Sequence, residues 1–221
     1  MKKSILFLAG LIIVKTQPLF AQVQWQVKAG AAVSTVRGQS MTLLNNAVEL
    51  TNGMVSQQPL TGFYAGAGVI LPVSDVISIV PALQYAQTGT TFQGDLGVKA
   101  LNFLGIGARA SLVQHQVELP VMVQAKVAEG FSIKAGPALS YNVDNSLRVR
   151  ATALGINLYR QSLPLGNNFT EPLQVSAMGG LQYQSKGGIG VEAVYQHGIT
   201  RLNSMVNAFP QSVRVGITYR F

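Results

Sequence analysis

The sequence predicts an all-β fold: a closed, antiparallel, up-and-down transmembrane β-barrel of eight strands, with ten strands as the alternative. Three observations predict it. Apolar and polar residues alternate in eight stretches of about ten residues, the length at which a tilted strand crosses a bilayer. Only 11% of the residues are charged, against about 25% in a typical soluble domain. The apolar rows carry no charge at all, as hydrocarbon would require.

Each predicted strand is defined by an apolar row of alternate residues. The fourth is the clearest, because Val117, Leu119 and Val121 alternate with Glu118 and other polar residues. In chain order the rows cover 25–33, 63–71, 77–85, 117–127, 133–141, 173–183, 189–195 and 213–221. Three prolines inside the predicted strands each remove a hydrogen-bond donor from the ladder, which predicts β-bulges at Pro81, Pro120 and Pro137.

The connections between the predicted strands alternate in length. Short links at 72–75, 128–130 and 185–188 follow the second, fourth and sixth strands. Long links at 35–60, 88–113, 144–171 and 199–210 follow the first, third, fifth and seventh strands. This alternation predicts periplasmic turns at one end and extracellular loops at the other. Weak alternation at 101–109 and 147–159 predicts either strand extensions or two further strands.

The N-terminus has the pattern of a secretory signal peptide. Lys2 and Lys3 precede an apolar run from Ile5 to Val14 that is too short to span a membrane as a helix. We therefore expect residues 1–21 to be a cleaved signal peptide and residues 22–221 to form the barrel domain. The absence of cysteine excludes disulfides, thiolate metal sites and a lipid-modified N-terminal cysteine.

Outward-facing aromatic residues are predicted to form two girdles at the membrane interfaces. At the loop ends of the strands these are Phe63, Tyr85, Tyr141 and Tyr195, and at the turn ends Trp25, Phe131, Tyr183, Tyr219 and Phe221.

The polar rows carry charges that would point into the barrel, where they must be paired or hydrated. We expect a barrel-interior network of Lys28, Glu118, Lys126, Lys134, Glu192, Arg214 and Arg220. Eight strands leave a lumen just wide enough for side chains to fill, which favours a polar plug over a pore. The alternative is a narrow passive channel, whose net positive lining would prefer anions.

The sequence offers little for catalysis, and we expect no enzyme, no cofactor and no metal site. His115 and His197 are the only histidines, and neither has a carboxylate at a spacing typical of catalysis. Ser111 lies near His115, which leaves a lipid hydrolase at the rim as the weakest hypothesis. The predicted loops hold an excess of basic residues suited to anionic lipopolysaccharide: Arg37, Lys99, Arg109, Arg148, Arg150, Arg160 and Arg201, against Glu49, Asp95, Asp144 and Glu171.

Several motifs in order resemble those of the PorT-like outer-membrane β-barrel proteins of Bacteroidetes. They are Gly62-Phe63-Tyr64-Ala65-Gly66, Leu71-Pro72-Val73-Ser74-Asp75, Pro81-Ala82-Leu83-Gln84-Tyr85, Val117-Glu118-Leu119-Pro120-Val121, Ala135-Gly136-Pro137, Tyr195-Gln196-His197-Gly198-Ile199-Thr200 and Tyr219-Arg220-Phe221. Ala82 stands where the family often has glutamate, so an inward carboxylate of the family is missing. The closing Phe221 resembles the insertion signal that the barrel-assembly machinery reads. Some relatives are tied to protein secretion.

These features together predict a non-enzymatic, integral outer-membrane component of a Gram-negative cell envelope, structural or interacting, and accessory to protein secretion. Its expected partners are outer-membrane lipids and lipopolysaccharide, the barrel-assembly machinery during biogenesis, and an unidentified secretion or envelope protein. An exported chain without a run of Lys and Arg gives no support to nucleic-acid binding. A soluble lipocalin-like barrel is the competing architecture, and it would place the apolar rows inside.

Overall fold

The computed structural model describes residues 23–38, 55–95, 107–153, 156–165, 171–202 and 207–221. The predicted signal peptide, residues 1–21, lies outside this part. The strands are β1 (Gln24–Arg37), β2 (Val55–Pro72), β3 (Ile77–Asp95), β4 (Gly107–Ala128), β5 (Phe131–Ala153), β6 (Ile156–Leu165), β7 (Leu173–Gln184), β8 (Ile189–Gly198) and β9 (Phe209–Arg220). Among the described residues, no helix is long and apolar enough to cross a membrane.

Eight strands close into a ring of antiparallel neighbours. Starting from β1, the ring runs through β2, β3, β4, β5, β7, β8 and β9, and β9 pairs again with β1. Reciprocal backbone hydrogen bonds of 3.0 Å between Trp25 and Phe221 extend this last seam to the chain terminus. Closure leaves no free edge in the ring, so its backbone donors and acceptors can pair within it. The predicted eight-stranded, up-and-down barrel is confirmed.

The apolar rows face outward, as predicted. Ile217 is 65% exposed and Leu119 is 51% exposed, whereas Glu118, the next residue to Leu119, is completely buried. Along β8 exposed and buried residues alternate without interruption. This inside-out arrangement, polar within and apolar without, is stable only where hydrocarbon is the outer solvent. A lipocalin-like interior of apolar rows is therefore wrong.

The strands on one side of the barrel are longer than the sequence predicted. Parts of the predicted loops 35–60, 88–113 and 144–171 belong to β1, β2, β3, β4, β5 and β6. These extensions pair with one another, as in the register from Gln87↔His115 to Asp95↔Gly107 between β3 and β4. Above the membrane neither face of a strand needs to avoid charge, so the alternation on which the prediction relied fades there.

The ninth strand, β6, lies outside the ring. It pairs only with the outer part of β5, from Asn145↔Leu165 to Ala153↔Ile156. The weak alternation at 147–159 therefore marks a hairpin formed by the end of β5 and the start of β6. The ten-stranded alternative is wrong, since the described chain adds one strand and adds it outside the ring.

The bulges predicted at Pro81, Pro120 and Pro137 are also wrong. Beside Pro81, the β2–β3 register continues unshifted from Gly68↔Ala82 to Leu71↔Ile79. Each proline lies beside a short gap in one ladder, and the strands pass that gap without an extra residue. The register shifts lie elsewhere, between Pro59 and Tyr64, His115 and Gln116, Lys126 and Ala128, and Ala151 and Thr152.

The three short links are tight turns, as predicted. In the β2–β3 turn, Val73 N donates to Ile77 O at 2.8 Å, and in the β7–β8 turn Ser185 N donates to Ile189 O at 2.8 Å. Gly130 and Gly188 adopt φ angles of 76° and 84°, a backbone conformation that only glycine enters without strain. The same end of the barrel therefore holds both termini of the ring and all three turns.

Candidate functional site

A buried ion pair crosses the lumen near its middle. Arg214 of β9 donates from Nη1 to Glu118 Oε2 at 2.6 Å and from Nη2 to Glu118 Oε1 at 2.8 Å. The two side chains are 1% and 0% exposed. A guanidinium that binds both oxygens of one carboxylate forms the strongest ordinary protein ion pair, because two charge-assisted hydrogen bonds act in parallel.

Polar neighbours complete the coordination of this pair. Gln84 Nε2 donates to Glu118 Oε2 at 2.6 Å, and Gln196 Nε2 lies 3.4 Å from Glu118 Oε1. Arg214 also donates from Nε to Ser212 Oγ at 3.2 Å and from Nη2 to Gln196 Oε1. Saturating both charges with hydrogen bonds lowers the cost of removing them from water.

The pair spans the full width of the barrel. Three strands separate β4 from β9 in one direction around the ring, β1, β2 and β3, and three in the other, β5, β7 and β8. Glu118 and Arg214 therefore start from opposite walls and meet in the lumen. A barrel of eight strands has room for such a contact and little else at that level.

A second cluster surrounds Glu192 of β8. Lys134 Nζ donates to Glu192 Oε2 at 2.6 Å and to Gln182 Oε1 at 2.7 Å. Tyr64 Oη donates to Glu192 Oε1 at 2.8 Å, and the Arg214 guanidinium lies 5.6 Å from the centre of the Tyr64 ring. Tyr64 thus connects the two ion pairs into one network across β2, β4, β5, β8 and β9.

Two glycines make room for Tyr64. A Cβ on Gly30 would lie 2.8 Å from Tyr64 Cε1, and one on Gly216 would lie 2.4 Å from Tyr64 Oη. Tyr64 alternates with the predicted apolar row 63–71 and therefore belongs to the inward row, but the sequence does not identify it as a network residue. The sequence feature that could have identified Tyr64 is its position as the single aromatic residue among Gly62, Gly66 and Gly68 on the same row.

The structure places the seven predicted network residues unequally. It joins Glu118, Lys134, Glu192 and Arg214 in ion pairs. Lys28 is half-buried and shares the inward row of β1 with Gln26. Lys126 is exposed near the β4–β5 turn, and Arg220 is half-buried at the end of β9. No ion pair within the described ranges includes Lys28, Lys126 or Arg220.

An apolar cluster closes the extracellular end of the lumen. It consists of Val36, Leu112, Leu202 and Ala208, with Leu165 of β6 packed against it. Between this cluster and the Glu118–Arg214 pair lies a cavity of about 20 Å³, which has room for about one water molecule. The sequence does not predict this cluster, because its members come from connections and strand ends that show no regular alternation.

The predicted aromatic residues lie in two groups on the outer wall. The rings of Phe63 and Tyr85 lie tilted against each other with their centres 5.6 Å apart, and those of Phe131 and Tyr183 with their centres 4.7 Å apart. Of all nine, only Tyr85 is half-buried, and Trp25, Phe63, Phe131, Tyr141, Tyr183, Tyr195, Tyr219 and Phe221 are exposed. Phe131 and Tyr141 on β5 stand about 25 Å apart along the barrel axis, the height of a typical apolar band.

The structure separates His115 from Ser111, the serine that lies near it in the sequence. Tyr85 Oη bonds to His115 Nδ1, and Asp144 faces His115 across the β4–β5 ladder, a neighbour that spacing in the sequence did not reveal. Ser111 bonds instead to Thr91 Oγ1 at 2.9 Å and lies about 13 Å along the strand from His115. Among the described residues, no group of His, Asp and Glu could hold a metal ion.

A basin of about 620 Å³ lies among the strand extensions at the extracellular end. Four arginines line it: Arg109 of β4, Arg148 and Arg150 of β5, and Arg160 of β6. The rest of the lining is partly polar, with Thr61, Thr91, Ser111, Gln161 and Ser162, and partly apolar, with Pro59, Leu60, Val113 and Val149. Sequence analysis counted these arginines among the loop residues but did not predict that strands bring them together.

Comparisons with known proteins place the chain in a family. The family described as "Outer membrane protein beta-barrel domain" matches residues 17–204. No curated protein sequence matches the chain.

Solved structures of similar fold include outer-membrane barrels of other bacteria. Ail of Yersinia pestis has a TM-score of 0.46 and 12% identity, with 90% of this chain and 99% of that chain covered. Neisserial surface protein A has a TM-score of 0.46 and 13% identity, covering 89% of this chain and 97% of that one. OprG of Pseudomonas aeruginosa has a TM-score of 0.42 and 9% identity, covering 90% and 95%. Since the family match covers most of the sequence, the chain belongs to the outer membrane protein β-barrel domain family.

Proposed function

We propose that this protein is a closed, non-conducting, non-enzymatic barrel that anchors an extracellular binding platform in the outer membrane. The observation that carries the proposal is the Glu118–Arg214 pair, which meets from opposite walls and occupies the middle of the lumen. The apolar cluster around Leu112 adds a second closure above it. What remains for interaction is the outer end, where β2 to β6 rise above the aromatic residues.

Planar-bilayer recording tests the closed state. We expect no stable conductance steps from the purified, folded protein, because a buried ion pair and an apolar cluster lie in series along the lumen that the described strands enclose. The double variant Glu129→Ala/Lys186→Ala removes an exposed ion pair that joins the β4–β5 and β7–β8 turns. It should likewise show no stable conductance steps. Stable anion-selective steps from the unaltered protein would favour the narrow passive channel instead.

The partner of the platform is proposed from the sequence motifs. Their resemblance to PorT-like proteins supports a role accessory to protein secretion in a Gram-negative envelope. The protein would reach the envelope by means of a signal peptide that is cleaved after residue 21. Deleting the gene and comparing secreted and surface proteins tests this role. Lost secretion, restored by the complete protein but not by one lacking the β5–β6 hairpin, would support it. An unchanged secretion profile with altered solute uptake would count for the channel.

A further inference from the structure

The extracellular basin brings like charges unusually close together. Arg109 pairs in register with Arg150, and Arg150 pairs in turn with Arg160. Neighbouring strands lie about 4.8 Å apart, so three guanidinium-bearing positions stand side by side within about 10 Å. Arg148 stands on the same face of β5, two positions from Arg150. Like charges directly opposite each other destabilise a strand pair, so the row is unfavourable unless an anion compensates it.

Little in the described protein compensates these charges. Arg109 donates from Nη2 to the neutral Gln93 Oε1 at 2.8 Å, which positions its guanidinium without neutralising it. None of the ion pairs within the described ranges includes an arginine of the basin. On β5 the nearest carboxylate of this face is Asp144, about 13 Å along the strand from Arg148. On β3, Asp95 pairs in register with Gly107, two positions from Arg109, so one carboxylate position borders a row of four arginines. Arg109, Arg148 and Arg160 are exposed and Arg150 is half-buried.

The basin lies on the outer side of the barrel wall. β4 pairs with β3 in a constant register from Pro81↔Val121 to Asp95↔Gly107, so alternate residues of β4 keep their face. Arg109 and Ser111 therefore share the face on which Leu119 meets lipid. They stand roughly 15–20 Å beyond Val117 along the barrel axis, above the hydrocarbon and level with sugars attached to the membrane surface.

From this geometry we infer that the basin binds a multiply phosphorylated saccharide. Arginine binds phosphate through two parallel hydrogen bonds, and a row of arginines suits several phosphates on one compact scaffold. The hydroxyl and amide side chains of Ser162, Thr61 and Gln161 suit the neutral hydroxyl groups of the sugar. The inference rests on the proposed platform and names its ligand class. Two sources present this chemistry: the head group of the membrane's own lipopolysaccharide, and a soluble phosphorylated sugar.

Calorimetric titration of the folded, full-length protein in neutral detergent with inositol hexakisphosphate tests the site. We expect saturable binding of one molecule per chain. The double variant Arg150→Gln/Arg160→Gln should weaken binding by more than about tenfold, because two charge-assisted contacts are lost. The matched control is Arg37→Gln, an exposed arginine at the same end but outside the basin, which should bind like the unaltered protein. Gels of unboiled samples check folding. A variant that fails to fold would migrate at the slower position of the boiled, unfolded protein.

Lysine substitution separates a built site from a diffuse positive field. Arg150→Lys/Arg160→Lys keeps the charge but removes the planar fork, and should bind more weakly than the unaltered protein. Equal affinity in the lysine variant, an equal loss in Arg37→Gln, or no saturable binding at all would overturn the inference. None of these results depends on conductance. If the basin does not bind the ligand, the proposal that the barrel is closed is unaffected.

A second arm identifies the source of the phosphates. The titration is repeated in nanodiscs containing lipopolysaccharide and in matched discs with dephosphorylated lipopolysaccharide. Weaker binding of inositol hexakisphosphate only where the phosphates are present would mean that the head group already occupies the basin. Equal binding in both kinds of disc would leave the basin to a soluble phosphorylated sugar.

Discussion

At the scale of single residues, paired charges that are buried from the bulk solvent cross the lumen. Glu118 and Arg214 neutralise each other, and the amides of Gln84 and Gln196 occupy further hydrogen-bonding positions around them. Such a pair contributes modestly to stability when it is intact but strongly opposes the removal of one partner, since the other charge is then buried alone. The network therefore specifies which strands face each other across the lumen.

Replacing Glu118 by alanine tests this asymmetry. Glu118→Ala should lower the free energy of unfolding by about 3–5 kcal/mol, because Arg214 remains buried without its counter-ion. Glu118→Ala/Arg214→Ala should lose less than the single variant. Reversible urea unfolding in detergent, followed by the fluorescence of the one tryptophan, Trp25, measures both. The single variant Arg214→Ala completes the comparison. If the double variant lowers the free energy of unfolding by the sum of the two single losses, the two side chains are not coupled.

Gly216 offers a test of the space beneath Tyr64. Gly216→Val places a Cβ 2.4 Å from Tyr64 Oη and 2.5 Å from Ala29 O, so either the ring or the β1–β9 seam must move. We expect a loss of more than about 1 kcal/mol, typical of an overpacked interior. Gly187→Ala in the β7–β8 turn is the control, because a Cβ added there would lie 3.8 Å from Ser185 Oγ, an ordinary van der Waals contact. The same unfolding assay measures both, and equal stabilities would contradict the crowding.

At the scale of strands, the barrel separates into a ring and an addition. The inner part of β5 pairs with β4 and β7 within the ring, whereas its outer part pairs with β4 and β6. β6 forms its backbone ladder with β5 and with no other described strand. The β5–β6 hairpin is therefore an appendage whose removal leaves all pairings of β7, β8 and β9 in place.

Replacing residues 147–164 by a short glycine-serine turn tests the independence of the hairpin. The shortened protein should still fold, because the ladder from Phe131↔Tyr183 to Tyr141↔Leu173 is untouched. Retention of the fast-migrating, unboiled form on a gel measures this, and the same variant should no longer bind inositol hexakisphosphate. Loss of the folded form would mean that β6 belongs to the stabilising core of the barrel.

The strands also show how far sequence reasoning reaches. Within the hydrocarbon every residue must face either lipid or lumen, so alternation and charge avoidance predicted the ring from Trp25 to Phe221 and four members of the ion-pair network. Beyond the membrane that constraint ends, so the sequence predicts long loops over most of the outer halves of β2 to β5, with weak alternation only at 101–109 and 147–159. Arg109, Arg150 and Arg160 are far apart in sequence, and only the register of three strands makes them neighbours.

Bulges at Pro81, Pro120 and Pro137 were predicted wrongly for a different reason. A missing donor does not require an extra residue, because a short gap in one ladder leaves the register on both sides unchanged. Tyr64 shows the opposite case, a residue whose face was predicted but whose role was not. Its hydrogen bond to Glu192 joins strands β2 and β8, which the sequence separates widely.

At the scale of the whole molecule, one barrel combines three layers with different solvents. Turns and termini lie at one end, an apolar band with a polar, ion-paired lumen lies in the middle, and a basic basin rises at the other end. The middle layer explains the low charge of the sequence, because only the lumen and the two ends accept charged side chains. All functional proposals depend on this orientation of the two faces.

Spin labels on single cysteines test that orientation most directly, since the chain contains no cysteine of its own. Leu119→Cys places a label on the outer face of β4, and Ser140→Cys places one in the lumen, directly across the ladder from Glu118. In lipid bilayers, collision rates with oxygen and with a polar nickel chelate are measured by electron paramagnetic resonance. We expect high oxygen and low nickel accessibility at Leu119→Cys, with little of either at Ser140→Cys. High nickel accessibility at Leu119→Cys would place water on the apolar face and contradict the membrane barrel.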